Sequence, residues 1–237
     1  MRNLVIHIVS VNKRMLMLSL LVSHFLIFSF GQSREQLRDE LKEAAEALSF
    51  FPDSLDLRLK KAALNMQLEQ WEYAKDEYDY VIRRDPNNVA GLYYRAYANE
   101  KLGRLSFARA DYEAVLRIVP THFEARLGLA LVNQKDRHFT EAMDQINQLV
   151  ESNPDNVLAI VARANMERER KLYSLAEFDF TRAMEMEPDN TDHLLNRADV
   201  RLLMGNYEEA RSDLDLLVKK GIVKGSLKGF YDRLKKK

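Results

Sequence analysis

VAGLYYRAYANEKLGRLSFARADYEAVLRIVP, residues Val89–Pro120, reads as two amphipathic helices joined by a tight turn at Leu102-Gly103-Arg104 and stopped at Pro120. Related stretches lie on both sides of it at one spacing. The chain has five prolines, Pro52, Pro86, Pro120, Pro154 and Pro188, each 34 residues from the next. Ala62, Ala96, Ala130, Ala164 and Ala198 keep the same period, and so do Ala74, Ala108, Ala142, Ala176 and Ala210. One alanine column falls in the first helix of each unit and the other near the start of the second. Alanine at both places implies that the paired helices approach where a larger side chain would hold them apart. Large residues follow the turn (Trp71, Leu105, Phe139, Tyr173, Tyr207) and recur four residues after the second alanine (Tyr78, Tyr112, Ile146, Phe180, Leu214). A period of this size means stacked repeats, not one globular core.

These columns resemble the tetratricopeptide repeat (TPR) family, whose 34-residue helix–turn–helix unit carries small residues at both alanine places and a proline after the second helix. The resemblance covers Leu55–Lys224. It implies an all-α, right-handed superhelical α-solenoid of five TPR units, 55–88, 89–122, 123–156, 157–190 and 191–224. Three departures stand out. Arg58 and Arg126 occupy a place that is large and apolar in the family, and Ile222 stands where the last proline is expected.

The flanks complete the stack. Residues 32–54 hold a linker and an N-terminal capping helix, with Ser33 able to cap it and Leu37, Leu41, Ala44, Ala45 and Leu48 as its apolar stripe. Residues 225–237 read as a basic C-terminal capping helix. In it Ser226 is the expected cap, Leu227, Phe230, Tyr231 and Leu234 form the apolar stripe, and Lys228, Arg233 and Lys235–Lys237 point outward. Residues 1–31 read as a signal peptide: Lys13 and Arg14 precede the apolar run Met15–Phe30, and Ser29-Phe30-Gly31 supplies small residues for cleavage. The run is shorter than the ~20 residues of a spanning helix. A second apolar stretch, Leu4–Val11, keeps an uncleaved anchor as the alternative. Export places the protein in the periplasm or cell envelope if it is bacterial.

Charge is balanced overall, 36 basic against 36 acidic residues, but segregated: residues 32–218 hold 25 basic and 35 acidic residues, while the tail from Lys219 carries eight basic residues and only Asp232. An acidic body argues against nucleic-acid binding, which needs cations along a phosphate backbone. The basic tail, like the N-terminus, could touch a membrane, although cations at a helix end also suit its dipole. With no cysteine, disulfides and thiol chemistry are excluded. His7, His24, His122, His138 and His193 have no metal-ligand spacing, and no nucleophile elbow or phosphate loop is present. No catalytic residue, metal or cofactor is expected, so the chain is read as a non-enzyme.

One periodic pair is electrostatic. Lys61, Arg95, Arg163 and Arg197 precede the first alanine column, and sixteen residues later stand Glu77, Asp111, Asp179 and Asp213; where Leu129 replaces the cation, Gln145 replaces the acid. A cation beside a close-contact alanine is partly buried and needs a partner. Ion pairs Lys61–Glu77, Arg95–Asp111, Arg163–Asp179 and Arg197–Asp213 are therefore expected as structural elements.

The TPR resemblance also implies a groove lined by the first helices that holds a peptide or partner helix. Its candidate residues are Tyr93, Tyr97 and Glu100; Leu127, Leu131 and Gln134; and Val161, Asn165 and Arg168, with Leu59, Ala63, Met66, Leu195, Asp199 and Leu202 at equivalent places. The sequence thus reads as a protein-interaction scaffold, with a membrane-anchored assembly factor as the alternative. A groove with many leucines and few cations favours an apolar or amphipathic segment.

Overall fold

The computed structural model describes residues 33–235. The segment read as a signal peptide, and Lys236 and Lys237, lie outside the described residues. Among those described there are twelve α-helices and no strand, in two compact units that meet in sequence at Gly103 and Arg104. The first unit contains α1 (Arg34–Phe50), α2 (Leu55–Gln67), α3 (Trp71–Arg84) and α4 (Val89–Lys101). The second contains α5 (Leu105–Ile118), α6 (Phe123–Lys135), α7 (Phe139–Ser152), α8 (Val157–Glu169), α9 (Tyr173–Met186), α10 (Thr191–Met204) and α11 (Tyr207–Lys219), then a 3-10 turn (Lys224–Leu227) and α12 (Lys228–Arg233). Within each unit every α-helix packs on the next in sequence.

The helix starts follow local chemistry. Ser33 and Gln36 form a reciprocal capping box on α1. Ser54, Asn88, Asn156 and Asn190 accept a backbone N–H at the starts of α2, α4, α8 and α10. On α6 the His122 Nδ1 takes this role, 3.3 Å from the Ala125 amide. The helices after the internal turns have no side-chain cap. They follow a turn in which one residue is left-handed: Glu69 (φ 60°), Gly103 (φ 74°), Arg137 (φ 65°), Lys171 (φ 61°) and Gly205 (φ 81°). That column is in register throughout, so the turn geometry belongs to the repeat and glycine is only its least strained solution.

Both alanine columns are buried in every copy, as are Tyr78, Tyr112, Ile146, Phe180 and Leu214. The close approach is tightest at Gly128, where an added Cβ would lie 2.5 Å from the Tyr112 ring. In the first unit the equivalent place is Tyr94, whose ring stacks on Tyr78 at 6.1 Å. At one end Leu37, Ala44 and Leu41 of α1 join Leu64 and Leu68 in one apolar cluster. At the other, Leu227 and Leu234 join Leu194, Ala198 and Leu214, with Phe230, Tyr231 and Ile222 packed alongside. Ile222 thus exchanges a helix-stopping proline for apolar contact with the end helix. Two expectations for this end are corrected. Ser226 does not cap α12; its hydroxyl donates back to the Val223 carbonyl at 2.7 Å inside the 3-10 turn. Arg233 does not point away, because its Nη1 donates to Asp199 at 2.6 Å on α10.

The charged pairs form a denser lattice than the sixteen-residue spacing implies. Lys61 meets Glu77 at 2.7 Å. Arg163 grips Asp179 with two bonds of 2.6 and 2.9 Å, and Arg197 grips Asp213 with two of 3.1 and 2.7 Å. The same cations also reach backwards to the preceding second helix: Arg95 donates to Asp79 at 2.7 Å, Arg163 to Asn147 at 3.4 Å and Arg197 to Thr181 at 3.2 Å. Asp111, on α5, is buried. The departures Arg58 and Arg126 belong to this lattice. Arg58 donates to Glu77 at 2.7 Å and the Pro52 carbonyl at 3.0 Å; Arg126 donates to Gln145 at 3.1 Å and the Pro120 carbonyl at 2.7 Å. Each exchanges apolar burial for an anchor on the preceding proline loop.

A further polar column escaped the sequence reading: Asn65, Asn99, Asn133, Glu167 and Arg201, near the ends of the first helices, the first four buried. A residue 24 positions earlier, on the preceding second helix, can serve it. Arg109 donates to Asn133 at 2.9 Å, and with reversed polarity Arg201 donates to Glu177 at 2.6 Å. For Glu167 the corresponding residue is Met143, which has no charge to offer. One Glu167 carboxylate oxygen is buried without a hydrogen bond. Burial, helped by the charge of Asp179 and opposed by Arg163, pushes its pKa from 4.5 up to about 7.

Three outcomes are expected from thermal melts. Asp179→Asn leaves Arg163 without its buried anion and costs about 3 kcal/mol; a loss under about 1 kcal/mol would contradict the pairing. Lys171→Gly relieves a left-handed lysine and gains roughly 0.5–1 kcal/mol, the strain relieved less the added flexibility of the unfolded chain. For Glu167 the folded pKa lies above the unfolded one, so its contribution is full below pH 4.5, falls as pH rises to about 7, and is flat above. Glu167→Gln is therefore neutral near pH 4 and stabilising by about 3 kcal/mol at pH 8. Equal effects at both pH values would refute a strained, ionised Glu167.

Candidate protein-binding site

The groove candidates do not form one uniform surface. In the first unit Tyr93, Tyr97 and Glu100 lie half-buried along α4. Tyr97 sits edge-on to Trp71 of α3, with ring centroids 6.1 Å apart, and the Lys101 ammonium lies 5.1 Å from the Tyr97 ring and 5.9 Å from Trp71. This aromatic–cation stack braces the start of α3 against α4, so Tyr97 has a packing role. Tyr93 makes an edge contact with its neighbour Tyr94 at 5.0 Å. On α2, Leu59 and Met66 pack against the cluster of Ala62, Ala74 and Tyr78.

In the second unit the candidates separate into three kinds. Leu127 and Val161 lean on the cluster formed by Ala130, Ile146 and Ile160, and so serve the core. Leu131 remains open, at 37% exposure. The third kind is polar and already engaged. Gln134 donates to Glu169. The Asn165 amide donates to the Val161 carbonyl of its own helix at 2.9 Å. Arg168 reaches Asn196 at 3.3 Å and Asp199 at 3.5 Å on α10, where Arg233 of α12 also ends. Along α6, α8, α10 and α12 these contacts make a chain of polar links. A partner laid on that face would meet open Leu131 and partly satisfied polar groups around it.

Large exposed apolar residues occur elsewhere too. Leu172, Leu175 and Phe178 are spaced to share one face at the start of α9, with exposures of 41%, 54% and 66%. Tyr73 and Phe107, two places after the start of α3 and α5, are similarly open. The sequence reading, directed to the first helices, overlooked these residues. The signal available was their failure to fit the buried columns.

Among the described residues no group of three or more His, Asp or Glu side chains is placed to hold a metal. No described helix is long and apolar enough to cross a membrane.

Comparison with known proteins agrees with this architecture. Tetratricopeptide-repeat family models match residues 59–123 and 180–212. No curated protein is detectably similar in sequence. Among solved structures, a tetratricopeptide repeat protein from Parabacteroides merdae is similar with a TM-score of 0.63 at 20% identity, over 84% of this chain and 78% of that one. YrrB, described as a TPR protein with an unusual peptide-binding site, has a TM-score of 0.59 at 18% identity, over 75% and 92% of the two chains. MamA from Desulfovibrio magneticus has a TM-score of 0.64 at 16% identity, over 70% and 94%. At these identities the structures attest the fold. The family matches fall on residues that carry the 34-residue columns, and with paired helices, left-handed turns and buried alanines in the same register the chain is built of tetratricopeptide repeats.

Proposed function

We propose that this TPR protein is a non-catalytic scaffold that holds an apolar or amphipathic segment of another protein against its first helices. The observation that carries the reading is open Leu131 among half-buried Leu127, Val161 and Gln134. A binding anchor must be accessible, as Leu131 is, and Leu127 one turn earlier on α6 is packed against the core. In the first unit Tyr93 is the corresponding candidate, a half-exposed aromatic able to add area at little entropic cost. The peptide-binding site for which YrrB is described supports a protein ligand for this fold. Export to the cell envelope, from the basic and apolar pattern of residues 1–31, belongs to the same proposal.

The test is a pull-down from envelope extracts with the full chain, read by mass spectrometry. Tyr93→Ser/Leu131→Ser is expected to lose a partner that wild type recovers, with the melting temperature within about 2 °C. Phe178→Ser, on the exposed face of α9, is expected to keep it. The converse, with the partner kept by the first variant and lost by the second, would move binding to α9 and overturn the first-helix reading. Tyr97→Ala is a poor probe, because losing the Trp71 contact costs about 1 kcal/mol of stability by itself.

A further inference from the structure

The polar column has a second irregular place, and here the result is a cavity. Asn65 is only 2% exposed, yet its side-chain Nδ2 has no hydrogen-bond partner. The residue 24 positions earlier is Leu41 of α1, where Arg109 stands relative to Asn133. Leucine cannot accept or donate a hydrogen bond, and it is shorter than arginine. The space between α1, α2 and α3 is a pocket of about 470 Å³ lined by Leu41, Ala45, Tyr73 and Asn65, with Arg38 and Lys42 also on its wall.

The charges around it are unequal in their commitments. Glu77 is held by Arg58 and Lys61, each at 2.7 Å, and Asp76 by Lys75 at 2.8 Å. Both carboxylates on the wall therefore have a cation beside them, Lys75 being shared with Asp79 at 2.9 Å. Arg38 and Lys42 have no ion-pair partner among the described residues. The pocket thus combines two uncommitted cations, a buried amide donor that lacks an acceptor, and an apolar wall with the Tyr73 ring 67% exposed. A buried donor without an acceptor destabilises the protein, and an incoming acceptor would relieve this. A donor and two cations ask for an anionic oxygen acceptor; the leucine, alanine and tyrosine ask for an apolar body behind it.

We propose that the pocket between α1, α2 and α3 binds a small organic acid, its carboxylate held by Arg38, Lys42 and the Asn65 amide and its apolar body lying on Leu41, Ala45 and Tyr73. Planar guanidinium suits a carboxylate, and the ammonium of Lys42 adds a point charge from the next turn of α1. The site lies within the first unit and does not depend on the partner face proposed above.

The experiment is titration calorimetry of the full chain with 4-phenylbutyrate, and with 4-phenylbutanamide as the uncharged match. The acid is expected to bind saturably, and the amide at least roughly tenfold more weakly, as loss of a charge-assisted hydrogen bond implies. Arg38→Ala/Lys42→Ala changes two exposed side chains, so it is expected to keep the melting temperature and weaken the acid roughly tenfold. Asn65→Leu removes the orphan donor; it is expected to weaken the acid while raising the melting temperature of the ligand-free protein. Absence of binding at millimolar acid, equal affinity for acid and amide, or unchanged affinity in the Arg38/Lys42 variant would overturn the proposal.

Discussion

Contact between small residues sets the spacing on which everything else depends. Where Ala62 and Ala74, or Ala164 and Ala176, lie with no exposed surface, paired helices are too close to admit a longer side chain between them. The large residues must then stand one turn away, as Tyr78 and Phe180 do, and the neighbouring cation is drawn from water. Arg163 and Arg197 are not ornaments on a hydrophobic fold. Their burial follows from the alanines, and their carboxylates follow from their burial.

The lattice of cations also shows how repeats tolerate variation. Where Leu129 replaces the cation, it is itself buried, and Arg126 supplies a hydrogen bond to Gln145 from one turn earlier. At Leu41 and Met143 the substitution is not compensated by another charged group. One place is left with a cavity beside Asn65, the other with a carboxyl group that resists ionisation at Glu167. The same missing cation has opposite consequences because the residue it would have served is neutral in one copy and acidic in the other.

Much of the fold was legible because the repeat multiplies each weak signal. A single alanine or proline says little; five in register define helix pairs, turns and cores. The chemistry of Lys61, Arg163 and Arg197 was also legible, since a buried charge must have a partner within reach. What the sequence concealed were links that run backwards to the previous second helix, such as Arg95 to Asp79, because their spacing crosses a repeat boundary. The binding face was less legible still. Residues one turn apart on a first helix share a direction but not a fate: Tyr97 is occupied by Trp71, Val161 by the core, and Arg168 by Asp199, while Leu131 stays open. By sequence Arg233 is a solvated tail residue, and only packing of the end helix reveals its anion on α10.

In a repeat array, stability divides into what each unit holds alone and what it shares with its neighbour. An arginine bonded to both its own second helix and the preceding one belongs to the shared part. Arg163 and Arg197 therefore raise the coupling between successive repeats more than the strength of any single repeat. With Arg233 extending the same connection to the final short helix, the C-terminal end is disposed to open as a block and not to fray residue by residue. Leu129 makes no such link, and at its repeat the coupling passes instead to Arg109, which reaches Asn133 and Asp136 from the preceding second helix, and to Arg126 on the Pro120 carbonyl, so that cooperative opening is carried past the one copy that lacks the cation.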